Sequence, residues 1–245
     1  MIGSIYHAII YQPILNLLVF LYETISFYDF GLAIIFCTII IRLILYPVFH
    51  KSTKHQLVMQ KIQPKLEKIK ELHKDDKEKQ LKATMEIYKE HDINPLSGVI
   101  LLLVQLPVLI ALYYIFLHKL TPDVLANLYS FVPAPKTFNT SFLGLINLEQ
   151  SSILMVSLAA IMQFLQGKMM LPKIEKGREP SPAEAVGRNM VYLAPLLTLM
   201  IFARMPAAVS LYWTVTTIFS IFQQKIINRQ LKLNEESGSV RKKDN

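Results

Sequence analysis

Positive charge is missing from the first 41 residues: all 26 lysines and arginines lie beyond them, although the net charge is +8. A water-soluble domain carries charge on every surface element, so such a gap argues for a chain whose segments are sorted by a bilayer. Cysteine is nearly absent too. Cys37 stands alone in an apolar run, which excludes a disulfide framework and a cysteine metal site. Only eight glycines occur and no two are four residues apart, so the close-packing motif of tight helix dimers is missing. No internal repeat suggests the duplicated halves of many transporters. The six histidines (His7, His50, His55, His73, His91, His118) show no metal-ligand spacing. Nucleophile-elbow serines and glycine-rich phosphate loops are lacking as well, so no enzyme chemistry and no cofactor are expected. The NTS at Asn139 is a weak glycosylation match to which no function is attached.

What is present is apolar: 52% of the residues are hydrophobic. A spanning helix needs roughly 20 apolar residues. Residues 30–49, 96–118 and 151–167 meet or approach this. The run 190–224 is too long for one span and is broken at RMPAA (Arg204 to Ala208), which divides it into spans at 190–205 and 207–226. The expected fold class is therefore all-α, a polytopic membrane protein with five transmembrane helices.

Orientation follows from the basic residues. Segment 50–95 holds eleven lysines, segment 168–189 five lysines and arginines, and the stretch from Lys225 onward six, against two in the loop 119–150. Lysine and arginine stay on the cytoplasmic side. The N-terminus is then outside, and the tail 227–245 is cytoplasmic. Residues 1–29 contain the apolar stretch IIYQPILNLLVFLY, interrupted by Gln12, Pro13 and Asn16, with no basic region before it. A cleavable signal peptide is not expected. An interfacial helix on the outer face is the reading adopted, with a further span as the alternative.

Segment 50–95 is lysine-rich and free of glycine. Leu57, Ile62, Leu66, Ile69 and Leu72 fall near helical spacing, as do Leu81, Met85 and Tyr88, and HKDDKEK (His73 to Lys79) separates the two stripes. This predicts an antiparallel helical hairpin in the cytoplasm. Its eleven lysines against eight acidic residues make it mildly basic, enough to attract anionic lipid headgroups.

Arg42 is the most informative residue. It sits in IIIRLILYP inside the first predicted span, and no Asp or Glu occurs in any of the five spans. A charge near the bilayer centre costs from about 3 to more than 10 kcal/mol. Two readings stay open. Arg42 is some seven residues from the predicted inner end, about 10 Å, so its side chain could snorkel to the headgroups. Alternatively it lines a hydrated cavity. Thr38 and Tyr46 lie one turn before and after it. Gln105, Gln163 and, in the last span, Trp213, Thr214 and Thr217 add polar groups at span level. Singly each is ordinary interhelical glue; together with an unpaired cation they favour a shared wet pocket.

The ordered blocks GLAIIFCTIIIRLILYP, QPKLEKIKE, INPLSGVILLLVQLPVLIALYY, QGKMM and MPAAVSLYW…FQQKIINR resemble the YidC/Oxa1/Alb3 family of membrane protein insertases over about residues 10–232. The resemblance implies five helices around a hydrophilic groove open to cytoplasm and lipid and closed outside. It implies groove positions at Arg42, Thr38, Tyr46, Gln105, Gln163 and Trp213, with Gln166 able to take the register of Gln163. It also implies insertion of nascent membrane proteins into the lipid bilayer of a bacterial cell membrane without nucleotide hydrolysis. An incoming apolar segment would slide along the first and last spans. The ribosome and the Sec translocon are open as partners, and nucleic acid is not expected to bind directly. The large periplasmic domain of Gram-negative members and the lipid-attachment cysteine of many Gram-positive ones have no counterpart, and the short tail makes a ribosome-binding role doubtful. A small transporter or channel holding an anionic solute on Arg42 is the alternative function.

Overall fold

The computed structural model describes residues 2–117, 121–135, 137–171, 180 and 182–241, with side chains described for 3–117, 121–135, 137–171, 180 and 184–233. Parts of the predicted loops 119–150 and 168–189, residue 118 of the second predicted span, and the end of the tail 227–245 lie outside the described residues.

The chain opens with one continuous helical rod: α1 (Ile2–Tyr6), a π-helical turn (His7–Tyr11) and α2 (Gln12–Thr24). The polar residues that interrupt its apolar run are anchors. The Gln12 amide donates to the Asn127 carbonyl at 3.1 Å, and Asn16, buried, accepts from the Tyr129 amide at 2.6 Å. Tyr6 Oη donates to the carbonyl of Pro107 at 3.0 Å.

Asp29 accepts from the Leu32 amide at 2.9 Å and starts α3 (Phe30–Ile44), as a short acidic N-cap should. The predicted first span runs to residue 49, but α3 ends at Ile44 and the chain turns by 71° into α4 (Tyr46–Leu72). Pro47 lies in the first turn of α4, where its missing N–H has no helical partner to lose. The bend lays the start of α4 against both α6 and α10.

The turn His73–Asp76 and α5 (Lys77–Glu90) complete a helical hairpin. Asp76 caps α5 through the Lys79 amide at 3.0 Å, which holds its carboxyl below the usual carboxylate range. Ile62 and Leu66 of α4 and Ile93 form its small core, with Ile87 and Tyr88 packed on it, whereas Leu72, Leu81 and Met85 are exposed.

The remaining helices are α6 (Ser97–Leu117), a single turn α7 (Pro122–Leu125), α8 (Ile153–Met169), α9 (Pro182–Phe202) and α10 (Ala207–Arg241). Thus α9 begins inside the predicted loop 168–189, and α10 continues through most of the predicted tail as one helix. A two-stranded hairpin, β1 (Ser141–Phe142) with β2 (Ile146–Asn147), is the one small departure from an all-α chain among the described residues. Gly144 takes φ +68° in its turn, where a side chain would be strained.

Helix α10 is the axis: it packs on α3, α4, α6, α8 and α9. At the end of the bundle away from the hairpin, the interior is dense and mainly apolar. Leu15, Leu18, Val19, Ala33, Ile34, Ala111, Ile115, Val156, Ala207 and Ala208 are all fully buried. Tyr22, Phe30, Phe116 and Phe138 close that end edge-on or tilted at 5.2–6.1 Å. Around this core the outward faces of α6 and α9 are apolar and exposed, Leu102, Leu103, Leu196 and Met200 among them. Apolar surface on that scale suits hydrocarbon and not water. The protein is an all-α polytopic membrane protein.

Candidate functional site

Along α3, residues Phe30, Ala33, Ile34 and Cys37 are buried and apolar; Thr38 and Arg42 follow on the same side. Along α10, which runs the same way, Ala207 to Leu211 are buried, and then come Tyr212, Thr214, Thr216, Thr217, Ser220, Gln223 and Gln224. The interior therefore changes from mainly apolar, with Ser210 the buried exception on α10, to mainly polar along both helices, and the polar part faces the hairpin end.

Arg42 is the centre of that polar part. It is only 3% exposed, and it turns inward to α10. Its Nη2 donates to the Thr216 carbonyl at 3.4 Å and to Ser220 Oγ, and Ser220 in turn donates to the same carbonyl at 2.9 Å. The guanidinium lies 4.0 Å from the centre of the Phe49 ring and 5.3 Å from that of Phe219. Backbone oxygen, hydroxyl and ring faces thus stand in for a carboxylate. Its Nε has no hydrogen-bond partner among the described residues, and neither has Gln224 Oε1; the hydroxyls of Ser26 and Ser210, towards the other end, are likewise unpartnered. A buried unpaired polar group costs about 1–3 kcal/mol, so an open donor on a buried cation suits a region that water or a polar ligand visits.

Tyr212, Thr216 and Ser220 lie four residues apart and make one stripe on α10. The Gln105 amide donates to Tyr212 Oη, which ties α6 to this stripe. Gln223 donates to the Tyr46 carbonyl at 3.4 Å, which ties the bend to it. Arg42, Tyr46 and Gln105 are thereby gathered on one face of α10. Thr38 is adjacent, but its hydroxyl is turned back on its own helix, donating to the Ile34 carbonyl at 2.6 Å. Tyr46 shares no helix with Arg42, because the bend falls between them; its ring approaches His50 and Phe219.

Gln163 and Trp213 lie elsewhere. Gln163 accepts from Thr198 Oγ1 between α8 and α9, and lines a cleft of about 480 Å³ with Gln60, Gln63 and Gln166. Glu184, the other buried charge among the described residues, borders the same cleft. Trp213 meets Phe202 edge-on at 5.5 Å, on the α9 side of α10. Sequence reasoning passed over Tyr212, Ser220, Gln223 and the two phenylalanines. The four-residue spacing of Tyr212, Thr216 and Ser220 was the available signal.

A family model described as "60Kd inner membrane protein" matches residues 20–235. The chain belongs to that family. It is 33% identical over 223 residues to the membrane protein insertase YidC of Fusobacterium nucleatum, covering 90% of this chain and 98% of that relative. It is also 33% identical to the insertase YidC of Pelobacter propionicus over 222 residues (91% of this chain), and 32% identical to that of Francisella philomiragia over 201 residues (82% of this chain). Of those two longer relatives it spans only 39% and 33%. Membership in this bacterial family, with the apolar helices, makes the protein a multi-pass protein of the cell membrane.

Proposed function

We propose that the chain is a membrane protein insertase. It receives hydrophobic segments of nascent proteins in the polar interior around Arg42 and releases them into lipid without nucleotide hydrolysis. The observation that carries this reading is the change of polarity along α3 and α10. A densely packed, mainly apolar end and a buried cation with an open donor at the other make half a pathway: polar residues can enter from the hairpin end and go no further unaided. The five crossings are α3, α6, α8, α9 and α10, with the hairpin and C-terminus in the cytoplasm and the N-terminus outside. The rod α1–α2 is assigned to the outer face, packed on α6, where Tyr6 reaches the Pro107 carbonyl.

The energetics are those of transfer. Burying the incoming apolar helix releases free energy in proportion to the area removed from water. The barrier is the polar tail that must cross ahead of it. Here α3 and α8, of 15 and 17 residues, extend about 22 and 25 Å, against roughly 30 Å of hydrocarbon. Polar lining on one side and a thinned bilayer on the other shorten the dry part of the path. A small channel or transporter would use the same arginine to move solute.

The test is reconstitution. Purified protein in proteoliposomes is expected to insert a single-span substrate without nucleotide, while passing no small anion in a parallel flux assay. Anion flux without insertion would overturn the proposal.

A further inference from the structure

A cavity of about 500 Å³, separate from the arginine cluster, opens where α4 leaves the bend and α6 begins. Lys51, Ser52 and His55 line it from α4, with Asn94 and Ser97 opposite. Ser52 is 5% exposed, and its hydroxyl bonds to no protein group among the described residues. The Asn94 amide donates to His55 Nδ1 at 2.9 Å, which leaves the other ring nitrogen as the donor. Burial, then Lys51, holds the imidazole below its usual pKa. At the start of α6, a helix of 21 residues, the Leu96 and Ser97 amides already donate to Asn94 Oδ1 and the Asn94 carbonyl at 2.9 and 3.2 Å, and the amides that follow at Gly98 and Val99 carry the positive end of its dipole. Asp92 is the one acidic residue lining the cavity, against Lys51 and the neighbouring Lys54.

The same cavity has an apolar side. Val48 and Ile100 border it, and both are exposed, as are Leu96 and Val99 beside them. Polar donors towards the hairpin and an apolar rim along α6 match the two halves of a lipid.

We propose that this cavity binds the phosphate headgroup of a membrane phospholipid, held by Lys51, Ser52 and the first turn of α6, with Val48 and Ile100 against its acyl chains. A lipid seated there bridges α4 and α6 across the Pro47 bend and the Asn94–Pro95 junction, and so braces the base of the hairpin. The site is independent of the insertase reading.

Native mass spectrometry of the delipidated full chain tests it, with phosphatidylglycerol, phosphatidylethanolamine and inorganic phosphate as probes. One saturable phospholipid per chain is expected. Lys51→Ala and Ser52→Ala should each weaken retention about fivefold, the effect of one favourable contact near a headgroup surface. Lys74→Ala, the same charge loss at the hairpin tip, should leave it unchanged. Should Ser52→Ala lower the melting temperature, Lys51→Ala decides alone, since Lys51 is exposed. Equal retention by Lys51→Ala and Lys74→Ala would overturn the proposal, because the lipid would then be annular. Displacement of the lipid by millimolar inorganic phosphate would also overturn it, because the site would then bind a free anion.

Discussion

Arg42→Ala is expected to lower insertion of a substrate with an acidic N-terminal tail by about tenfold or more, whereas Arg42→Lys retains much of the activity. Two charges at close approach in a partly hydrated site couple by roughly 1–4 kcal/mol, and about 1.4 kcal/mol already corresponds to a factor of ten. Lysine keeps the cation and loses the planar guanidinium, whose Nη2 meets the Thr216 carbonyl and Ser220 while its face lies on the Phe49 ring. Survival of the lysine variant therefore reports on the field of the charge and not on one hydrogen-bond pattern. A neutral-tailed substrate should suffer less from Arg42→Ala. Alanine also removes the ring contacts with Phe49 and Phe219, so thermal unfolding of each variant is measured beside insertion. Matched proteoliposome assays give the comparison, and equal, near-wild-type insertion of both substrates by Arg42→Ala would contradict this role.

An all-or-none result is expected from topology. A cysteine replacing Lys77 at the start of α5 should react with a membrane-impermeant maleimide only from the cytoplasmic side, and one replacing Pro133 only from outside. Both positions are exposed, and Cys37 is buried, so the background is low. Twenty-two basic residues in the segments assigned to the cytoplasm by sequence, against two in the loop 119–150, give the expected sorting its strength. Labelling of both positions from one side would overturn the five-crossing arrangement.

The parts of this molecule that were legible in its sequence are those set by one residue against its immediate background. Arg42 is conspicuous because a cation in an apolar run has so few inexpensive explanations. The two helices of the hairpin are legible because helical period and polarity agree over two adjoining segments, although Leu72, Leu81 and Met85 of the expected stripes are exposed and Ile93 joins the core in their place. The 71° bend was not legible. Proline at position 47 favours the first turn of a new helix over the last turn of an old one, but the apolar run continues to Phe49, and the predicted span follows it. Partner identity was the other loss. Gln105 meets Tyr212 across 107 positions, and nothing local marks tyrosine in an apolar segment as the acceptor. The shared face expected of Thr38, Arg42 and Tyr46 assumed one unbroken helix, so it placed Tyr46 by a periodicity that the bend interrupts. Gln163 and Gln166 illustrate the same limit: both line the α8–α9 cleft, and register alone does not separate them.

The most direct test of the account asks whether the incoming tail visits Arg42. Ser220, which touches the guanidinium, is replaced by cysteine in a Cys37→Ala background, and a second cysteine is placed in the acidic tail of a substrate stalled during insertion. Disulfide formation is expected at position 220, and at none of the cysteines placed on the outward face of α9 at Leu196. A tail that crosslinks at Leu196 and leaves position 220 unmodified would contradict the central claim.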